Sequence, residues 1–347
     1  MTTQNLLRKS GLKVGFLPTG KRNSIADVAR VTVGHKTIIK GSDIRTGVTV
    51  IDPGVKDLFS KKLPAAVCVV NGFGKVAGTT QIEEMGTIET PIALTNTLAV
   101  GSVMRGIIDI VLKENKSLKS YETINAVVGE TNDGRVNAVQ KDVVSKEDVF
   151  DAYNDRKKDF ERGSVGAGTG TRAFAWKGGI GTSSRLIKIG KNTYTLGVLI
   201  QTNYGGSLSI LGVPIGEIMD KNDFRKPVKK KPDGSCIIIL ATDAPVCASE
   251  LKRIAKRAFF GVVRTGGIAA SGSGDYVIAF STNRSSGKIS EAEMNDLFLA
   301  AVEATEESVY DAIFSAETVK GIGGNILQAL PKEETIKMIM IKVALRR

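Results

Sequence analysis

The only histidine in the sequence, His35, limits the hydrolytic chemistry that the chain can perform. A serine-histidine-aspartate triad would have to use it as the base. His35 lies in a strand-like stretch that ends in a turn, where we expect a structural role. The three cysteines, Cys68, Cys236 and Cys247, form no Cys-x-x-Cys pair. The sequence therefore predicts neither a metal site built from histidine and cysteine nor a disulfide framework.

A hydrolase without a histidine base can use the α-amino group of a chain that begins with serine or threonine. The pKa of an α-amino group is about 7.7–8.0, so much of it is neutral near pH 7 and can accept the hydroxyl proton. Such a residue must be released by internal cleavage and held rigidly. Gly234–Ser235 fits, because a lysine- and proline-rich run precedes it and the apolar run Cys236–Ala241 follows it. A Gly-Ser pair before a strand is also an ordinary turn, so spacing alone leaves both interpretations open.

A second glycine-rich stretch, Gly163–Thr171, has the composition of a phosphate-binding loop. It lacks the lysine of the nucleotide-binding loop, and its spacing differs from the dinucleotide-binding pattern. We therefore expect a tight turn with close backbone packing, which glycine permits.

The elements that must position these residues include both strands and helices. Apolar and β-branched runs predict strands at 31–33, 47–51, 66–70, 195–200, 236–241, 276–280 and 337–343. Helical spacing and capping signals predict helices at 92–112, from the N-cap Ser249 through 262, and from the capping box Ser290–Glu293 to about 315. Strands with helices stacked outside them predict an α/β layered fold.

The net charge of +12 raises the question of a nucleic-acid or membrane-surface partner. Five of the positive residues lie with two prolines in Arg225–Pro232, which indicates an exposed linker. No aromatic residue is interleaved there for base stacking, so we expect no nucleic-acid partner. No window is apolar enough to span a membrane, and the first twenty residues show no secretory signal pattern. Together with the few cysteines, these features predict a cytoplasmic protein without a membrane partner.

A series of short motifs runs along nearly the whole chain. They are Ile25–Ala29, Arg45–Thr49, Val70–Gly74, Ile82–Gly86, Glu89–Thr97, Val128–Gly134, Gly178–Arg185, Gln201–Asn203, Asp233–Ile237, Ala241–Pro245 and Arg264–Asp275. In these motifs the chain resembles the L-aminopeptidase/D-esterase and β-aminopeptidase family of self-processing hydrolases. The resemblance implies an N-terminal-nucleophile aminopeptidase that hydrolyses short peptides, amino-acid amides or esters bearing a free amino end.

The resemblance places autocatalytic cleavage between Gly234 and Ser235. The Ser235 hydroxyl would attack the Gly234 carbonyl, and water would then release the new N-terminus from the resulting ester. Ser273 and Asp275 would lie beside the nucleophile. Ser273 would hydrogen-bond the Ser235 hydroxyl or amine, and Asp275, which is glutamate in some relatives, would orient that network.

The resemblance also assigns residues that bind the substrate. Asn203 matches the asparagine of the oxyanion hole, and Glu130 matches the acidic residue that holds the substrate's amino group. Asn132 stands near a position where several relatives carry a tyrosine that assists the oxyanion. Thr182 is a competing nucleophile, because the glutamate N-acetyltransferases of related fold use a threonine. We rank Thr182 below Ser235 and expect it to line the active-site pocket.

The implied fold is a four-layer α-β-β-α sandwich. It would form a single domain, 1–347, built jointly by the cleaved fragments 1–234 and 235–347. The resemblance implies a homo-oligomer of processed heterodimers, with no cofactor or metal. Two alternatives stay open: an acyltransferase of the ornithine acetyltransferase-like fold, and an unprocessed homologue that binds a ligand without catalysis. The sequence does not determine whether α or β, or L or D, residues are preferred.

Overall fold

The computed structural model describes residues 6–223, 234–285 and 289–344, so the predicted basic linker at 225–232 lies outside the described residues. Numbered in chain order, the strands are β1 (Thr32–Lys40), β2 (Ile44–Asp52), β3 (Leu63–Gly72), β4 (Val76–Ala77), β5 (Thr87–Ile88), β6 (Ile92–Asn96), β7 (Val127–Thr131), β8 (Arg172–Ala173), β9 (Trp176–Lys177), β10 (Ile180–Ile189), β11 (Asn192–Asn203), β12 (Gly234–Thr242), β13 (Ser273–Ser281), β14 (Val319–Lys320) and β15 (Ile326–Leu327). The α-helices are α1 (Leu6–Lys9), α2 (Thr79–Met85), α3 (Val100–Glu114), α4 (Lys146–Asn154), α5 (Ile215–Ile218), α6 (Ala248–Arg264), α7 (Glu291–Ser315) and α8 (Lys332–Ala344).

Two β-sheets stack face to face, and helices cover the outer side of each. Sheet 1 has the strand order β1-β2-β6-β7-β4, and sheet 2 has the order β10-β11-β12-β13-β3-β5. Apolar residues of α3 and α4 pack on sheet 1, and those of α6 and α7 pack on sheet 2. A third apolar cluster fills the space between the sheets. The predicted four-layer α-β-β-α sandwich is confirmed.

Strand β12 lies in the middle of sheet 2 and is buried along its whole length. Ile237 and Ile239 pack between the sheets, whereas Cys236 and Ile238 pack toward the α6 and α7 layer. A strand buried on both faces needs a continuous apolar run rather than an alternating one. The prediction of a central strand at Cys236–Ala241 is therefore confirmed.

The segment predicted as one helix, 92–112, is instead a strand followed by a helix. Ile92–Asn96 forms β6, which pairs in parallel with β7, and α3 begins only at Val100. The Asn96 side chain accepts hydrogen bonds from the backbone N–H groups of Leu98 and Ala99 and so supports the turn between the two elements. Periodicity did not separate the two elements, because a short buried apolar run suits a central strand and a buried helix equally well.

Two further predictions are wrong in type or boundary. The run 337–343, predicted as a last strand, belongs to helix α8, which carries Glu333 and Glu334 in its first turn, where negative charge favours a helix. The predicted N-cap Ser249 lies inside α6. The cap is Cys247, whose backbone N–H donates to the Glu250 carboxylate at 2.8 Å. The other predicted strands fall within observed strands or overlap them, and α7 begins after the predicted capping serine Ser290.

Helix α7 also carries acidic residues into the protein interior, where arginines pair with them. Arg185 of β10 lies 3.0 Å from the Glu303 carboxylate and 2.8 Å from that of Glu307, and all three side chains are buried. These pairs join β10 to α7. Over the described part of the chain, no helix is long and apolar enough to cross a membrane.

Candidate active site

Most of the predicted site residues meet where β11 ends and β12 and β13 begin. Antiparallel pairing places Asn203 beside Ser235. Parallel pairing places Gly274 on the other side of Ser235, and Ser273 beside Gly234. Strand pairing therefore brings together residues that lie far apart in the sequence. Residues 203, 235 and 273 meet at one end of the central strands of sheet 2.

The Ser235 hydroxyl lies against the carbonyl group that it is predicted to attack. Its Oγ donates a hydrogen bond to the Gly234 carbonyl oxygen at 2.5 Å, and Ser235 is only 5% exposed. A side chain at position 234 would begin 3.1 Å from the Ser273 Oγ. Glycine at 234 thus lets Ser273 approach the peptide bond closely.

Asn203 connects sheet 2 to the loop that follows β7. Its Oδ1 accepts from the Arg172 backbone N–H at 3.0 Å, and its Nδ2 donates to the Asn132 carbonyl oxygen at 2.9 Å. These two contacts fix the orientation of the amide. Because an amide nitrogen carries two hydrogens, these two contacts use only one of its N–H donors. The Asn132 Oδ1 accepts from the backbone N–H of Gly134 at 2.9 Å, so this oxygen supports its own turn.

Ser273 and Asp275 form a buried pair on the other face of sheet 2. The Ser273 hydroxyl donates to the Asp275 Oδ1 at 2.8 Å, and Asp275 is 1% exposed. Burial raises the pKa of Asp275 to about 6, and the hydrogen bond from Ser273 opposes this only in part. Within residues 6–223, 234–285 and 289–344, the Oδ2 of this carboxyl has no hydrogen-bond partner.

The strand register explains why this pair and the nucleophile face opposite ways. Asp275 lies in register with Cys236, which packs toward the helices, and successive side chains of a strand point to opposite faces. Ser235 therefore points toward sheet 1, as Ile237 does. Across the described residues we find no hydrogen bond between Ser273 and the Ser235 hydroxyl in the uncleaved chain. Ser273 lies beside Gly234 instead.

Glu130 extends from the end of β7 toward the loop after β3. Its Oε1 accepts from the Lys75 backbone N–H at 3.1 Å and lies 3.4 Å from the Lys75 Nζ. The Glu130 side chain is only 5% exposed. A side chain at Gly129 would begin 3.0 Å from an Ile237 methyl group, so the end of β7 lies over the start of β12. Glu130 is thereby positioned on the sheet 1 side of the site.

Three other sequence candidates lie outside this arrangement. Thr182 is fully buried in β10, and its hydroxyl donates to the Val198 carbonyl at 2.6 Å, so the expectation that it lines the pocket is wrong. In the stretch Gly163–Thr171, Gly163 has a φ of +82°, and a side chain there would begin 2.2 Å from the Ser315 carbonyl oxygen. The predicted tight turn with close backbone packing is confirmed.

His35 is bonded through both ring nitrogens. Its Nδ1 lies 2.9 Å from the Thr49 hydroxyl, and its Nε2 lies 3.0 Å from the Glu161 carbonyl oxygen. Burial lowers the pKa of His35 to about 4. These contacts match the structural role expected from the sequence. No group of three or more His, Cys, Asp or Glu side chains able to hold a metal ion is found in the ranges that the structure describes.

Comparison with known proteins identifies the family. The model of Peptidase family S58 matches residues 23–327. The chain belongs to peptidase family S58. The beta-peptidyl aminopeptidase BapA of Sphingosinicella xenopeptidilytica is 35% identical to this S58 peptidase over 96% of the chain and 90% of the relative.

Solved structures agree with this assignment. The PH0078 protein of Pyrococcus horikoshii OT3 is 39% identical, with a TM-score of 0.89 over 97% of this chain and 99% of that one. The L-aminopeptidase D-Ala-esterase/amidase of Ochrobactrum anthropi is 32% identical, with a TM-score of 0.87 over 96% and 98%. That enzyme is described as a prototype for the serine aminopeptidases and as a variant of the Ntn hydrolase fold. This S58 peptidase is thus a serine aminopeptidase of the N-terminal-nucleophile type, as the motifs predicted.

Sequence reasoning missed three contributors to the site of this S58 peptidase. Lys75 contacts Glu130, the backbone of Arg172 holds Asn203, and Tyr276 lies beside both Gly274 and the pocket of Glu130. Lys75 directly follows the motif Val70–Gly74, which is the one signal that pointed toward it. Tyr276 looked like an ordinary core residue of a strand, and no local pattern distinguishes a backbone N–H such as that of Arg172.

Proposed function

We propose that this S58 peptidase cuts its own chain between Gly234 and Ser235 and then uses Ser235 as an N-terminal nucleophile. Its substrates would be short peptides, amino-acid amides or esters with a free amino end. The observation that carries the proposal is the 2.5 Å contact between the Ser235 hydroxyl and the Gly234 carbonyl oxygen. A hydroxyl this close to a buried peptide carbonyl needs little movement to reach the carbonyl carbon.

In the first reaction, the Ser235 Oγ attacks the Gly234 carbonyl carbon, and the bond from that carbon to the Ser235 nitrogen breaks. The nitrogen takes up a proton, and an ester joins Gly234 to the Ser235 side chain. Water then hydrolyses this ester. The products are a carboxylate on Gly234 and a free α-amino group on Ser235, which serves as the base in later turnovers.

Two polar groups support the new amino group in this proposal. Ser273 lies beside Gly234, so its hydroxyl is near the peptide bond that is cut, whereas the Ser235 side chain lies on the opposite face of sheet 2, toward sheet 1. Asp275 accepts from Ser273 and holds that hydroxyl in place. The proposed role of Ser273 and Asp275 is to orient the Ser235 amine. They lie on the face of sheet 2 opposite the Ser235 hydroxyl, which supports the amine rather than the hydroxyl as the group that they contact.

Two further residues bind the substrate. The Asn203 amide, held by Arg172 and Asn132, would donate to the negative charge that develops on the substrate carbonyl. Glu130 would pair with the substrate's ammonium group, because a nearly buried carboxylate favours a cationic partner. The free amino end is thereby recognised on the sheet 1 side of the nucleophile.

The sheet topology supports a stable complex of the two fragments after cleavage. Strands β12 and β13 of 235–347 lie between β11 and β3 of 1–234. Each fragment alone would leave strands unpaired and apolar surface exposed. By resemblance we also propose a homo-oligomer of such heterodimers. Three free cysteines support a cytoplasmic location.

The proposal is tested by the mass of the purified, denatured protein together with N-terminal sequencing of any small fragment. Scaling the 36.9 kDa chain by residue number gives fragments of about 25 and 12 kDa. We expect the small one to begin Ser-Cys-Ile-Ile-Ile, and the protein to hydrolyse alanine p-nitroanilide. A chain that stays intact after long incubation and shows no hydrolysis would contradict the proposal.

A further inference from the structure

The phenol group of Tyr276 lies beside the candidate active site. Tyr276 is 6% exposed, and among the residues that the structure describes nothing bonds its hydroxyl. The oxygen is not sealed off either, because part of its surface stays accessible to solvent. A nearly buried phenol normally bonds its hydroxyl to the protein or to a ligand.

The ring lies next to the nucleophile. Tyr276 is in register with Ile237, which places it on the face of sheet 2 that Ser235 occupies. A side chain at Gly274, the direct neighbour of Ser235, would begin 3.2 Å from the Tyr276 Cε2. Glycine at position 274 leaves room for the ring to lean across toward sheet 1.

The hydroxyl faces the same small space as Glu130. The point at which a side chain of Gly74 would begin lies 3.0 Å from the Glu130 Oε1 and 3.8 Å from the Tyr276 hydroxyl. Gly74 has a φ of +145°, so this position favours glycine, and a larger residue would fill the space between the two oxygens. Lys75 contacts Oε1, whereas Oε2 accepts no hydrogen bond from the described part of the chain.

From this geometry we infer that Tyr276 is a substrate-binding residue, and that its phenol oxygen and the Glu130 carboxylate together hold the ammonium group of the substrate. This inference rests on the proposed function. It adds a second, uncharged acceptor to the amine site and makes Tyr276 a determinant of the preference for substrates with a free amino end. An ammonium group carries three N–H donors, so a carboxylate alone does not satisfy it.

The chemistry of the phenol suits this role. Burial, followed by the charges of Glu130 and Asp275, raises the pKa of Tyr276, so the phenol stays neutral at physiological pH. Its oxygen can then accept from the ammonium while its O–H donates to a carboxylate oxygen. Lys75, which contacts Oε1, holds the Glu130 carboxylate beside this space.

The test compares wild type and Tyr276→Phe on two substrates. Alanine p-nitroanilide carries the free amine, and p-nitrophenyl propionate has the same acyl skeleton without it. We expect KM for the anilide to rise about tenfold, the size of one hydrogen bond to a charged group. We expect kcat for the anilide and both constants for the ester to change by less than about twofold. The Tyr194→Phe variant, at the other end of β11, should leave both substrates unaffected.

Self-cleavage of Tyr276→Phe serves as an internal control for folding, because the scissile bond involves no substrate amine. We expect cleavage at the wild-type rate. An equal loss on both substrates, or no loss on the anilide, would overturn the inference while the proposed function stands. If wild type neither cleaves itself nor hydrolyses the anilide, the proposed function fails instead. Glu130→Gln should show the same selective loss, and combining it with Tyr276→Phe should cost less than the two separate losses together.

Discussion

At the start of β12 the two faces of sheet 2 carry different parts of the site. On the face toward sheet 1, Ser235 and Asn203 lie where Glu130 approaches from β7. On the face toward the helices, Ser273 and Asp275 are closed into the interior. The first face carries a hydroxyl, an amide and a carboxylate, whereas the second holds a carboxyl whose pKa is raised by burial.

In the proposed mechanism, sheet 2 separates the groups that contact the substrate from those that orient the Ser235 amine. Gly234 connects the two faces, because Ser273 approaches it on one side while its carbonyl accepts from Ser235. After the proposed cleavage, the new amine would lie at this junction. We expect changes on the sheet 1 face to act chiefly on turnover, and changes on the helix face to act also on the dependence of stability on pH.

The largest effect is expected for Ser235→Ala. Removing the nucleophile should abolish self-cleavage and lower hydrolysis by about 10⁶-fold, leaving only binding and oxyanion stabilisation. Mass spectrometry and the anilide assay measure the two losses. The matched variant Ser271→Ala, at an exposed serine near the same strand end, should retain both activities. A small fragment produced by Ser235→Ala would show that another residue performs the cut.

Asn203→Ala should have the next largest effect. Loss of one oxyanion donor lowers kcat by about 10²–10³-fold. Two hydrogen bonds to the backbone are also lost, so the free energy of unfolding should fall by about 1–3 kcal/mol. Urea unfolding in the uncleaved Ser235→Ala background measures this second effect. Unchanged turnover in an otherwise wild-type chain would remove Asn203 from the oxyanion hole.

Asp275→Asn tests the face of sheet 2 that is turned toward the helices, by its effect on the free energy of unfolding. The pKa of Asp275 is about 6 in the folded chain against an ordinary value of 3.8, so the folded state binds this proton more tightly than the unfolded state. The resulting stabilisation is complete below pH 3.8 and is lost as the pH rises through about 6. Because asparagine never becomes charged, the variant should be more stable than its parent at pH 8, by up to about 3 kcal/mol, and equally stable near pH 4.

Urea unfolding at the two pH values, again in the Ser235→Ala background, measures this difference. Hydrolysis at neutral pH in the single Asp275→Asn variant should fall, because the Ser235 amine loses an anionic neighbour. A variant that is less stable than its parent at pH 8 would contradict the inference that burial disfavours the charged form of Asp275.

The smallest effect on catalysis is expected for His35→Gln, which lies on neither face of sheet 2. We expect kcat to change by less than about twofold, since the proposed mechanism uses no histidine. The pKa of His35 is lowered from 6.5 to about 4, so its contribution to stability is present above pH 6.5 and is lost as the pH falls through about 4. The stability cost of the substitution should therefore shrink from pH 7.5 to pH 4, as urea unfolding would show. A large loss of kcat without unfolding would contradict this prediction and indicate that His35 acts as a base.

The sequence predicted some elements of the structure correctly and others incorrectly. The continuous apolar run after Ser235 predicted a central strand correctly, because a strand buried on both faces needs apolar residues at successive positions. The motifs identified the family and, by resemblance, the residues of the site. The segments 92–112 and 337–343 were assigned incorrectly, because short apolar runs fit either kind of element until their neighbours are known.

By itself, the sequence determined the layered α/β class, the central strand and the position of the Gly-Ser step, since these depend on residue types that are close together in the chain. Only the tertiary structure decided which face each site residue occupies and which groups meet there. Asp275 and Tyr276 are adjacent in sequence, yet the alternation of β13 sends one toward the helices and the other toward Glu130. That choice depends on the register among β11, β12 and β13 and on the stacking of sheet 1, which are contacts between distant segments that no local pattern encodes.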